Sequence, residues 1–152
     1  MATSDTTAKG WHVLDREGGV LWRHYRFAGN GSQATTFVFR GKGDALVVVS
    51  PGRHEEPSVL DELSEFGNVA ALVASNSFHW LGQALWRKHF PEARSYAPAD
   101  GVARLAKKMP GVQFETLEAL APMLGDNATV TSPAGLKVGN AFATVRAKNG
   151  TF

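Results

Sequence analysis

Five histidines are the candidates for chemistry in this sequence, and one stands apart by its setting. His79 follows the apolar run Val69–Ala74 and the polar break Ser75-Asn-Ser77, and it precedes a helix expected over Gln83–His89. A loop that leaves a buried strand and feeds a helix is where α/β proteins gather ligands and reactive groups. An imidazole there can bind a metal or move a proton near neutral pH. His54 occupies a comparable loop, Ser50-Pro-Gly-Arg-His-Glu-Glu56, after the apolar strand Ala45–Val49. If the two strands are parallel neighbours, both loops lie at one sheet edge. His79, Asn76 and His54 are then the binding candidates. The competing reading of His54 is a solvated loop in which Glu55 and Glu56 favour the start of the next helix. His12 and His24 fall in strands and read as surface or strand-pair residues. His89 ends a helix, where a cation suits the dipole.

Ser50 and the Ser75-Asn-Ser77 segment offer hydroxyls that His79 could activate as a base. Nucleophilic catalysis of that kind needs a third group to orient the base. The sequence marks none and has no Gly-x-Ser-x-Gly elbow, so no catalytic residue is assigned. Gly41-Lys-Gly43 is a turn, too short for a phosphate loop. Trp80 and Trp86 flank the His79 loop, where core packing competes with a role as an apolar pocket rim.

The elements that must position these residues follow from composition and periodicity. The chain has 152 residues, 43% hydrophobic and 20% charged, which suits one core-forming domain. It has no cysteine, so disulfides, thiolate metal sites and a cysteine nucleophile are excluded. The formal charge is +2, and Arg87-Lys88 and Lys107-Lys108 are the only basic doublets near helices. That is too little for a nucleic-acid surface. No apolar run reaches membrane-spanning length. Residues 1–10 lack an apolar core and read as a disordered lead-in, not a secretory signal; the cytoplasm is the expected compartment.

Strands are expected at Trp11–Leu14, Val20–Arg26 and Thr35–Arg40, then at the continuously apolar Ala45–Val49 and Val69–Ala74. A helix over Pro57–Phe66 presents Val59, Leu60, Leu63 and Phe66 on one face. The Gln83–His89 helix turns Leu81 and Leu85 toward the core, with Trp86 as a further candidate. Arg94–Ala97 is a strand, and a third helix follows with Asp100 as its N-cap. Gln113–Thr116, Thr129–Thr131 and Phe142–Arg146 read as later strands. Asn149-Gly150 looks like the turn of a hairpin whose second strand is missing. Strands first, then strand and helix in alternation, then strands again describe an α/β layered protein with a mixed sheet.

This order of elements, together with Ala45-Leu-Val-Val-Val-Ser-Pro-Gly52, the segment from Val69 to Gly82, Phe90-Pro-Glu-Ala-Arg94 and Tyr96-Ala-Pro98, resembles the metallo-β-lactamase fold superfamily. The resemblance covers Val20 to about Arg146. It implies the N-terminal half of an αββα sandwich, a single domain over residues 11–152 that is incomplete at its C-terminus. In that family a His-x-His-x-Asp-His motif on this loop binds one or two metal ions, usually zinc, which turn water into a hydroxide nucleophile. Here Ala74 stands at the first His, Asn76 at the second and Phe78 at the Asp; only His79 matches. The later ligands are another His, a bridging Asp and a final His. No histidine follows His89, and the only acidic residue after Glu118 is Asp126.

The expected function is therefore a divergent superfamily member without an intact metal motif, a non-catalytic binding or structural module for an unidentified small molecule. The alternative is a hydrolase-like metalloenzyme whose zinc or iron site is completed beyond residue 152 or by another subunit. A chain holding only the first half of the sandwich is also expected to self-associate through an uncovered sheet face. Neither nucleic acid nor a membrane is an expected partner.

Overall fold

A computed structural model describes residues 5–26, 29, 31–53 and 56–152. His54 and Glu55 lie outside the described residues. The protein is mixed α/β, built on an eight-stranded sheet whose strands lie in chain order. These are β1 (Asp5–Thr6), β2 (His12–Asp15), β3 (Val20–Arg26), β4 (Gln33–Arg40), β5 (Ala45–Val49), β6 (Asn68–Val73), β7 (Arg94–Ala97) and β8 (Phe114–Thr116). Strands β1 to β5 pair antiparallel, and β5 to β8 pair parallel.

Residues 5–10 depart from the expected lead-in. Asp5–Thr6 pairs with β2, and the Thr7 hydroxyl donates to Glu62 at 2.5 Å. A segment of polar residues gave no strand signal; edge pairing and one carboxylate hold it.

The crossovers carry α1 (Ser58–Asp61), α2 (Gln83–His89) and α3 (Ala99–Lys108). The helix expected over Pro57–Phe66 is one α-turn followed by a 3-10 turn, Glu62–Glu65. Its apolar face is as expected: Val59, Leu60, Leu63 and Phe66 are buried against Trp11, Leu21, Val38, Leu46, Val48 and Leu72. Asp100 lies within the first turn of α3, and Pro98 holds the cap position. Leu81 is exposed rather than core-facing, while Trp86 is fully buried. Gln83 begins α2 only after a tight loop, so Leu81 precedes the helical turns that would aim it inward.

The opposite face of the sheet is covered as well. A 3-10 turn (Leu117–Leu120) and α4 (Ala121–Leu124) lead into a second, three-stranded antiparallel sheet. It comprises β9 (Ala128–Thr131), β10 (Phe142–Ala147) and β11 (Gly150–Thr151). Its Ala128, Val130 and Val145 pack with Val47, Val49, Ala71, Val73 and Tyr96 of the large sheet. The uncovered sheet face expected from sequence is therefore a packed one, and it offers no basis for self-association. The hairpin after Asn149 does have its second strand: β11 pairs with β10, Arg146 opposite Thr151. Two residues suffice because Phe152 closes the ladder, exchanging both backbone hydrogen bonds with Val145 at 2.8 Å.

No helix among the described residues is long and apolar enough to cross a membrane.

Val145 tests the second layer. Its side chain is fully buried, whereas neighbouring Thr144 is exposed. Val145→Ala should lower unfolding free energy by about 2 kcal/mol in urea titration. Thr144→Ala should stay within about 0.5 kcal/mol.

Candidate functional site

The parallel pairing of β5 and β6 puts two loops side by side. Val49 lies opposite Val73, and the Ser50 N–H continues the ladder to the Val73 carbonyl at 2.9 Å. Ser50 and Ser75 thus emerge at adjacent strand ends, and the His79 loop folds back onto them. Ser50 Oγ lies 2.7 Å from Ser75 Oγ. His79 Nδ1 is hydrogen-bonded to Ser50 Oγ and, at 2.9 Å, to Ser75 Oγ. Tyr25, from β3, is also hydrogen-bonded to Ser50. Three hydroxyls and one imidazole form a single cluster.

Ser50 is strained. Its φ is +58°, and every other described residue with positive φ is a glycine. That conformation costs an L-residue roughly 1–2 kcal/mol, and Pro51 restricts its neighbour further. The surroundings offset the cost. The Thr36 hydroxyl donates to the Ser50 carbonyl at 2.8 Å and accepts the Gly52 N–H at 3.1 Å. The buried Trp86 indole donates to the Gly52 carbonyl at 2.8 Å. Each such bond contributes about 1 kcal/mol, so three of them can hold the loop. Two glycines permit the close approach. A Cβ on Gly52 would lie 2.2 Å from the Tyr25 ring, and one on Gly82 would lie 1.9 Å from the Pro51 carbonyl oxygen. The segment between β9 and β10 ties down the other loop: the Ala141 N–H donates to the Ser75 carbonyl at 2.7 Å, and the Ser77 N–H to Val138 at 3.2 Å.

The motif positions are occupied otherwise. Ala74 is fully buried, packed with Ala97, Leu105 and Phe114. Asn76 spends its side chain on its own loop, accepting the Phe78 N–H at 2.9 Å. Phe78 is half exposed, with the Arg104 guanidinium 4.3 Å from its ring centre. Among the described residues no three His, Cys, Asp or Glu side chains group closely enough to hold a metal ion. A zinc centre needs about three protein ligands; the residues at the described motif positions do not fit one.

The site lacks charge. Burial pushes the His79 imidazole below its ordinary value of 6.5, because desolvation penalises the cation. Burial raises the Tyr25 phenol, against the opposing pull of its Ser50 hydrogen bond. At neutral pH both are uncharged, and in the Nε2–H tautomer His79 Nδ1 accepts from a hydroxyl.

No family model matches the chain, and no curated protein matches it in sequence.

Of the sequence candidates, His79 sits at the centre of the cluster and Asn76 at its margin. His12 stacks on Trp22 with ring centres 4.1 Å apart, and His24 bonds Thr35 at 2.9 Å across β3 and β4. His89 pairs with Asp61 at 2.8 Å. Sequence reasoning missed Tyr25, Thr36 and the conformation of Ser50. Tyr25 and Thr36 are ordinary strand residues in sequence, and only the pairing of β3, β4 and β5 brings them to this edge. Beyond Tyr25 opens a cleft of about 1110 Å³, lined also by Lys9, Arg23, Arg26 and Arg53. Trp80 rims a separate, smaller hollow of about 370 Å³ with Leu81 and Met109.

Two outcomes check this geometry. The folded pKa of His79 lies below the unfolded value, so on acidification the unfolded chain takes the proton first. The imidazole's contribution is complete above pH about 6.5 and is lost as pH falls toward the lower folded value. His79→Asn should flatten that part of the stability–pH curve. Gly82→Ala should force the Pro51 carbonyl away and cost about 1–3 kcal/mol, seen as a lower urea midpoint with an unchanged slope.

Proposed function

We propose that the chain is a divergent member of the metallo-β-lactamase fold superfamily that works as a metal-independent binding module for a small anionic molecule. The observation that carries this reading is the engagement of His79: Nδ1 is taken up by the Ser50 and Ser75 hydroxyls. The remaining described motif positions are a packed alanine, a loop-bound asparagine and a phenylalanine. A helix layer, a mixed sheet and a second sheet on its other face support half of an αββα sandwich.

The ligand class follows from the cleft beside Tyr25. Lys9, Arg23, Arg26 and Arg53 line it, and the acidic residue lining it among the described residues is Glu56. Glu56 pairs with Lys9 at 3.4 Å. An excess of guanidinium groups suits a phosphate or carboxylate, which they bind with charge-assisted hydrogen bonds.

The place of His79 at the metal-loop position favours a second reading, a metallo-hydrolase completed by residues beyond 152 or by another subunit. Metal analysis separates the two. Protein dialysed against zinc or iron(II) and then gel-filtered should retain no stoichiometric metal, and His79→Ala should not change the result. One equivalent of metal lost in His79→Ala would sink the metal-independent reading. Inorganic phosphate should raise the thermal midpoint at constant ionic strength, and Arg26→Ala with Arg53→Ala should abolish the rise. The same rise in the double variant would exclude the cleft as the anion site.

A further inference from the structure

Position 50 invites a glycine and holds a serine. Its φ of +58° is a conformation that every other described residue of positive φ meets with glycine. A residue kept against its backbone preference, in a loop held rigid around it, marks a place where something other than folding sets the side chain. What distinguishes serine from glycine here is the hydroxyl, and its partners are Tyr25, Ser75 and His79.

These partners suit one chemistry. If Ser75 donates to Ser50 Oγ, negative charge developing on that oxygen is stabilised, while its own proton points at His79 Nδ1. A neutral imidazole can take that proton. We propose that Ser50 is a nucleophile and His79 its general base, acting on an activated ester or thioester.

In the first step Ser50 Oγ bonds to the acyl carbon, and the Ser50 proton passes to His79 Nδ1. The bond from the acyl carbon to the alkoxide or thiolate then breaks, and that group leaves with the proton from His79. In the second step water attacks the acyl-serine. Its proton goes to His79, the acid departs, and Ser50 regains its hydrogen. Pro51 has no N–H, so the donor usually supplied by the residue after the nucleophile is absent. The Tyr25 phenol, beside Ser50, is the hydroxyl left to donate to the developing oxyanion. Ser50 is only 5% exposed, and its partner Tyr25 lines the cleft, so the proposal has the substrate approach from the Tyr25 side. The inference goes beyond the binding function proposed above and does not depend on which anion the cleft takes.

The test is covalent labelling of the full chain by an alkyl fluorophosphonate after EDTA treatment, read by intact mass and peptide mapping. Wild type should gain one adduct, on Ser50. His79→Gln should slow labelling by about 100-fold or more. Ser50→Gly should not label, yet should unfold at the same or a higher urea concentration, because glycine relieves the strained φ. Absence of an adduct on Ser50 would overturn the proposal, as would an unchanged rate in His79→Gln. A marked loss of stability in Ser50→Gly would make the hydroxyl structural and overturn it equally. EDTA separates this result from the metal analysis: labelling at Ser50 stands or falls without metal.

Discussion

The register of β6 against β5 is the constraint on which the site depends. Leu46 lies opposite Val69, but Val47 lies opposite Ala71, so one residue, Ala70, is extra on β6. Side chains alternate along a strand, and a one-residue slip exchanges its faces. The bulge is what lets Val69 and Leu72, three apart, both pack on the helix side, while Ala71 and Val73 face the second sheet. Downstream of it, Val73 aligns with Val49 and Ser75 comes beside Ser50.

Packing on both faces then makes the edge rigid. Trp86 fills the helix-side core and its indole reaches the Gly52 carbonyl. On the other face the second sheet buries Val47, Val49 and Val73, and the segment that joins its strands holds the Ser75 loop through Ala141. Hydrophobic burial supplies most of the stability. Directional hydrogen bonds add little net energy, but they decide where the Ser50 and Ser75 loops stop moving. A strained serine can persist because neither neighbouring layer can relax around it.

The sheet was largely legible in the sequence, and the site only in part. The runs Ala45–Val49 and Val69–Ala74 announce buried parallel strands because they are apolar on both faces. The Pro57–Phe66 segment shows helical spacing, yet spacing alone does not distinguish an α-turn continued as 3-10. Cover for the second face was not legible: Ala128, Val130 and Val145 sit in short alternating strands whose destination is set by tertiary packing. His79 was visible by its place after a strand. Its partners were not, since Ser50 precedes a proline, a context that points to extended backbone. Tyr25 reaches the site only through the pairing of three strands.

The packing around the His79 loop bears on why a single change would not create a metal centre there. A metal-binding loop gathers carboxylates and imidazoles, and the ion's charge offsets their burial. Here Ala74 is part of the apolar structure, fully buried beside Leu105 and Phe114. A histidine at position 74 would have to displace that packing before it met any ligand. Phe78 is half exposed beneath Arg104, so an aspartate there would meet the guanidinium first. What remains is a neutral imidazole held by neutral hydroxyls, a set of groups that can be buried without a counter-ion. Such a cluster can pass a proton between oxygen and nitrogen without burying an unpaired charge in the resting state, and that is the electrostatic condition a metal-free centre at this edge has to meet.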